Sequence, residues 1–123
     1  MKLLSIALLS VLFSLTSLNE KQSNSLIVNE NKLMNEVLLA IQSDNYQYFI
    51  ESFAKGKLNV NQSINGKTIL IYATILNKPE MIRLLIQSGA FFSAECSKGQ
   101  TAMDYAYENN SYKALAELIV IAA

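Results

Sequence analysis

Apolar and polar positions recur along this chain at an interval of 33 residues. The run Gly66-Lys67-Thr68-Ile69-Leu70-Ile71-Tyr72-Ala73 returns as Gly99-Gln100-Thr101-Ala102-Met103-Asp104-Tyr105-Ala106, and Gly56 returns as Gly89. Ile82, Leu85 and Ile86 recur as Leu115, Leu118 and Ile119. They align backwards with Phe49, Ser52 and Phe53, where Ser52 is the one polar intruder. Leu33-Met34-Asn35-Glu36-Val37-Leu38-Leu39-Ala40 carries the apolar pattern of the first run without its glycine and threonine. A period of this length marks a supersecondary unit that can bury its apolar face only by stacking on its neighbours.

Each unit reads as two short helices followed by an extended loop. Thr68 and Thr101 stand where a hydroxyl would cap the first helix by accepting an otherwise unpaired backbone N–H. Leu70/Ala73 and Met103/Ala106 share a helix face, and the alanines admit a close partner helix. Asp44, Asn77 and Asn110 end the first helices with residue types that tolerate left-handed backbone. Pro79 opens the second helix of the middle unit, where its missing N–H costs nothing, and Gly56 and Gly89 close the second helices.

These residues resemble the ankyrin repeat. The likeness rests on the 33-residue period, the Gly-x-Thr-x-Leu-x-x-Ala pattern at Gly66–Ala73 and the Leu-Leu-x-x-x-Gly-Ala pattern at Leu84–Ala90. It implies an all-α solenoid of about three helix-turn-helix repeats with short hairpin loops, at roughly 32–61, 62–94 and 95–121 of a repeat region 32–121. The family's usual Pro and His are replaced by Ile69 and Ile71 in one repeat and by Ala102 and Asp104 in the next. Losing that His removes a bond between neighbouring repeats and predicts modest stability.

Ahead of the repeats, Lys2 is followed by an apolar run from Leu3 to Leu18 and then by polar residues. One positive charge, a leucine-rich stretch and small residues at Ser14, Thr16 and Ser17 give the layout of a secretory signal peptide over residues 1–17. The run is short for a membrane span, which takes about twenty residues. An uncleaved anchor is the alternative. Residues 18–31 read as a polar linker, within which Leu26–Val28 is either a loose tail or packing for the first repeat. Export to a periplasmic or extracellular space is therefore expected. The abundance of Ile, Asn and Lys, with so simple a leader, suggests a bacterium.

Composition then narrows the chemistry. Ten basic and ten acidic residues balance, which argues against a nucleic-acid binder working by counterion displacement. There is no histidine and one cysteine, so most zinc sites and His-based catalytic systems have no ligands or bases to use. The four glycines are scattered singly and form no phosphate loop. No catalytic, cofactor-binding or metal-binding residues are assigned, and the chain is read as no enzyme. The remote alternative is a small enzyme using Asp104 or Glu108 with a tyrosine, although Asp104 is better read as a structural hydrogen-bonding residue.

The family resemblance implies a binding surface on hairpin tips and the exposed side of the first helices, directed at an unidentified protein partner. Carried over residue by residue, it comprises Gln42, Ser43 and Lys55 in the first repeat. The middle repeat supplies Ile64, Asn65, Lys67, Ile75, Leu76 and Ser88, and the third supplies Ser97, Lys98, Gln100, Glu108 and Asn109. Ile75 and Leu76 have two readings: an apolar partner contact, or packing against the neighbouring inner helix. Phe91 is expected to fold beneath its hairpin, and the Tyr105/Tyr107/Tyr112 group to pack. Cys96 reads as a buried thiol, with pairing between molecules as the alternative. The wholly apolar run Leu118–Ala123 is unusual for a terminal repeat, which should present a polar outer face, and suggests self-association. The expected function is an exported adaptor or inhibitor that holds one partner protein on its concave face, with a membrane-tethered scaffold as the alternative.

Overall fold

The computed structural model describes residues 24–123. The expected signal segment 1–17 lies outside the described residues, as do residues 18–23 of the expected linker. The remainder of that linker is not a loose connector: residues 24–31 are helical, the start of helix α1 (24–42). Within them Leu26, Ile27 and Val28 are exposed. A compact unit begins at Leu33 and runs to Ala123. No helix among the described residues is long and apolar enough to cross a membrane.

The compact unit contains the last ten residues of α1, then α2 (Tyr46–Ala54), a hairpin of β1 (Ser63–Ile64) and β2 (Lys67–Thr68), α3 (Ile69–Ile75), α4 (Pro79–Gln87), α5 (Ala102–Glu108) and α6 (Tyr112–Ala122). Helices α3 and α5 lie side by side in one layer, and α4 and α6 in the other. Helix α3 packs on α4 and α5, and α6 packs on α4 and α5. Each pair of short helices is marginal alone and gains its stability from its neighbours. The all-α repeat solenoid expected from the 33-residue period is thus present.

Local sequence explains where the helices start and stop. Thr68 Oγ1 accepts the N–H of Ile71 at 3.2 Å, and Thr101 forms a reciprocal capping box with Asp104. Asp44, Asn77 and Asn110 all have positive φ, at 56°, 57° and 53°, so each first helix ends on a left-handed residue. In the hairpin, Asn65 (φ 50°) and Gly66 (φ 82°) form a two-residue turn of the type that suits the strands' twist.

The core runs continuously through the stack. Val37, Ile41 and Phe49 serve the first repeat, Ile69, Ile71, Met81, Ile82 and Leu85 the second, and Ala106, Ala114 and Leu118 the third. Ser52, the polar intruder, is buried all the same.

Polar ties also join successive repeats. Tyr46 donates its hydroxyl proton to Glu80 at 2.9 Å, Lys78 pairs with Asp44 at 3.1 Å, and Arg83 makes a two-pronged bridge to Glu117 at 2.9 and 3.1 Å. Each of these pairs is separated by 34 residues, one more than the 33-residue period, so each ties a repeat to its neighbour. Exposed pairs of this kind contribute little each, and the register they fix matters more than their energy.

Candidate protein-binding surface

The expected surface residues fall into three rows, each following the 33-residue period. The first row is the hairpin tips. Ser97 donates its backbone N–H to the Gly66 carbonyl at 2.9 Å, which lays the tip of the third repeat directly against that of the second. A Cβ on Gly66 would stand 2.8 Å from Ser97 Oγ, so the contact needs glycine for space as well as for its turn. Asn65, Ser97 and Lys98 are exposed here, while Lys67 and Gln100 are half-buried. Gln100 donates to Glu108 at 2.6 Å, which joins the tip to the exposed side of α5. The Lys67 ammonium lies 6.0 Å from the Tyr105 ring centre, at the limit of a cation–π contact. Asn65, Lys67, Ser97, Lys98, Gln100 and Glu108 therefore belong to one continuous polar surface.

Ile64 does not join them. It is 1% exposed, a core residue rather than a contact residue. The two-residue strand alternates, so Ser63 faces solvent and Ile64 faces inward. The Tyr72 hydroxyl donates to the Ile64 carbonyl and holds the strand down.

The second row lies at the C-terminal ends of the first helices. Gln42, Ser43, Glu108 and Asn109 are exposed, whereas Ile75 and Leu76 are half-buried and packed against the core. Both readings of the apolar pair thus contain part of the answer: the side chains support the stack and still show an edge. Leu76 lines a cleft of about 500 Å³ with Tyr46, Lys78, Glu80 and Lys113. Among the cleft's charged groups, Lys78 and Glu80 are already engaged by Asp44 and Tyr46. The hydrogen bond to Glu80 is the main reason the Tyr46 phenol is pushed up to about 12.

Lys55 and Ser88 form the third row, at the ends of the second-layer helices α2 and α4, and are not gathered with the tips. Ser88 caps its own helix through the Leu84 carbonyl and faces the loop residues Gly56 to Val60.

Two further side chains depart from simple expectation or refine it. Phe91 is 67% exposed instead of folded beneath its hairpin. Its neighbour Phe92 takes the inward place, and consecutive residues of an extended segment point to opposite sides. The Asn61 side chain pins this loop by donating to the Gly89 carbonyl at 3.0 Å and accepting the Phe91 N–H at 2.8 Å, so the ring is held outward on a fixed loop. Asn61 was the sequence signal for this arrangement, because an Asn side chain binds backbone where glycine-bounded loops turn. Cys96 is buried, as expected. The Tyr105 hydroxyl donates to its sulfur at 3.4 Å, which holds the thiol below its usual range and pushes Tyr105 up to about 12. Of the tyrosines expected to pack, only Tyr105 does, whereas Tyr107 and Tyr112 are exposed.

Two-layered helical hairpins at a 33-residue period, with hairpin tips stacked along one edge, define a helical-repeat solenoid. The chain belongs to the ankyrin-repeat family: a family model described as "Ankyrin repeats (3 copies)" matches residues 37–122. Among solved structures, the fold is similar to one chain of a complex described as a predatory endopeptidase from Bdellovibrio bacteriovorus with an immunity protein. That match has a TM-score of 0.60 and 23% identity, and it covers 71% of this chain and 46% of the other. This chain therefore spans less than half the length of the solved chain it matches. No curated protein matches the sequence significantly.

Proposed function

We propose that the chain is a non-catalytic binding module, an exported adaptor or inhibitor that holds a partner protein against its hairpin tips and first helices. The observation that carries this reading is the stacked tip row. Asn65, Lys67, Ser97, Lys98 and Gln100 project from rigid, glycine-dependent turns and continue through Glu108 onto α5. Side chains presented by fixed backbone lose little freedom on binding, which is how a small polar surface can recognise a protein. Membership of a repeat family whose members bind proteins supports the same reading. So does the likeness to a solved complex that pairs an endopeptidase with an immunity protein, which makes restraint of an enzyme in the same compartment the favoured form of inhibition. The balanced charge and the lack of histidine support a non-catalytic role.

Crosslinking in the native compartment, followed by identification of the captured proteins, tests the proposal. Lys67→Glu with Lys98→Glu should reduce capture at least tenfold while helical circular dichroism is unchanged. Undiminished capture would remove the tips from the interface. The export reading is tested separately by the mass of the mature N-terminus: loss of about the first 17 residues supports release, and an intact N-terminus in a membrane fraction supports the tethered scaffold instead.

A further inference from the structure

The tip of the β1–β2 hairpin carries a dipeptide that can react with itself. Asn65 and Gly66 are the two central residues of the turn, with φ of 50° and 82°. Two structural demands keep them there. A two-residue turn with both φ values positive favours Asn followed by Gly. Packing holds the glycine as well, since a Cβ on Gly66 would stand 2.8 Å from Ser97 Oγ. No other asparagine in the chain precedes a glycine. Asn24 and Asn110 precede serine, and the rest precede bulkier residues.

The backbone nitrogen that follows an asparagine can close a five-membered ring on the side-chain carbonyl carbon. Glycine at that next position leaves the approach unhindered, because it has no Cβ. Asn65 is exposed, so water reaches its amide. The folded turn restrains the reaction. A turn of this type keeps ψ of its first central residue small and positive, which carries the Gly66 nitrogen away from the Asn65 side chain. Asn65 Nδ2 also donates to the Met34 sulfur, and the Gly66 carbonyl accepts the Ser97 N–H at 2.9 Å. Yet the strands that close the turn are only two residues each, so the tip opens at less cost than the helices beneath it.

We propose that Asn65 is a site of spontaneous covalent modification, timed by opening of the hairpin tip. When the tip opens, the Gly66 nitrogen attacks Asn65 Cγ. The N–Cγ bond forms, the Cγ–Nδ2 bond breaks, and the side-chain nitrogen leaves as ammonia with the proton that Gly66 gives up. Water then opens the resulting succinimide at either carbonyl. Opening at Cγ leaves aspartate on an unchanged backbone. Opening at the main-chain carbonyl leaves isoaspartate, whose backbone runs through the side-chain carbons. No electrons are exchanged, and water is the sole co-reactant. Both products alter the tip row. Aspartate adds a negative charge on the surface shared with Lys67 and Lys98. Isoaspartate lengthens a two-residue turn and so draws the Gly66 carbonyl away from the Ser97 N–H. Loss of partner capture on modification rests on the tips being the binding surface; the modification itself does not.

Peptide mapping with isoaspartate detection tests this on the isolated full chain, incubated at mildly alkaline pH. The assay contains no partner, so a failure of the binding reading leaves its outcome untouched. In the guanidinium-unfolded chain, Asn65 should convert roughly tenfold faster than Asn24 or Asn110, and Gly66→Ala should remove that advantage whether or not the variant folds. In the folded chain Asn65 should still be the first asparagine to convert, several-fold more slowly than in the unfolded chain. Its rate should rise at denaturant concentrations below global unfolding, as expected for a local opening. A folded chain in which another asparagine converts before Asn65 would overturn the assignment of the site. A rate at Asn65 that is the same folded and unfolded would overturn its control by the tip.

Discussion

Asn77 Oδ1 accepts the backbone N–H of Ala114 at 2.9 Å, so the residue that turns the chain after α3 also caps the first turn of α6 in the next repeat. Ser111, the residue in the capping position of α6, makes no side-chain cap bond of its own and reaches back to the Ile75 carbonyl at 3.4 Å. Capping is therefore partly exchanged between repeats.

Two substitutions separate the roles of Asn77. Asn77→Gly keeps the left-handed backbone (φ 57°) and loses only the cap, so it should cost about 1 kcal/mol. Asn77→Ala loses the cap and also strains the backbone, so about 2 kcal/mol is expected. Urea denaturation measures both. Equal costs would show that the turn is indifferent to its residue.

Gly66→Ala should destabilise by about 2 kcal/mol, because it combines an unfavourable φ with a close approach to Ser97. The steric part belongs to Ser97 and the conformational part does not. Adding Ser97→Gly should restore only part of the loss. Complete rescue in a double-mutant cycle would mean that the turn accepts alanine freely.

The third prediction concerns the capping box. Thr101 and Asp104 each accept a backbone N–H of the other, at 3.3 and 2.9 Å. Thr101→Ala and Asp104→Ala should each cost about 1 kcal/mol, and the double variant less than the sum, since either loss loosens the same turn. Strict additivity would show two independent contacts.

What was legible in the sequence was mostly local. Thr68 and Thr101 cap, Pro79 opens α4, and Asp44, Asn77 and Asn110 turn left-handed, all because backbone geometry dictates the residue type within a few positions. Ile64 and Phe91 were misplaced because their burial depends on what lies beneath a hairpin or loop. Ile64 occupies an inward strand position under the tip, and Phe92 claims the inward site that Phe91 could have filled. Residues 24–31 read as linker because their Asn-rich composition hides the first turns of α1, with no helical apolar stripe to announce them. The tip surface followed from the family resemblance, which gave no sign that Lys55 and Ser88 would stand apart from it.

Alkaline pH should weaken the fold partly through Tyr46. Its hydroxyl donates to Glu80, and this bond, with burial and the negative charges of Glu80 and Asp44, raises the phenol from 10.0 to about 12. An unfolded phenol ionises near 10.0, whereas the folded one keeps its proton until about 12. Below the lower value both states hold the proton, and the contribution to stability is complete. Between the two values the unfolded chain binds fewer protons than the folded one, so stability falls as pH rises, and above the upper value the contribution is gone. Tyr46→Phe should therefore lower stability slightly at neutral pH and make its decline between pH 10 and 12 shallower than in the wild type. Tyr105, raised to about 12 chiefly by its bond to Cys96, titrates in the same window, and burial raises Tyr48 as well, so some slope should persist in Tyr46→Phe and shrink further when Tyr105→Phe is added. Urea midpoints taken at intervals across this range provide the measurement. Parallel slopes in the wild type and Tyr46→Phe would show that the Tyr46–Glu80 bond does not hold the proton in solution.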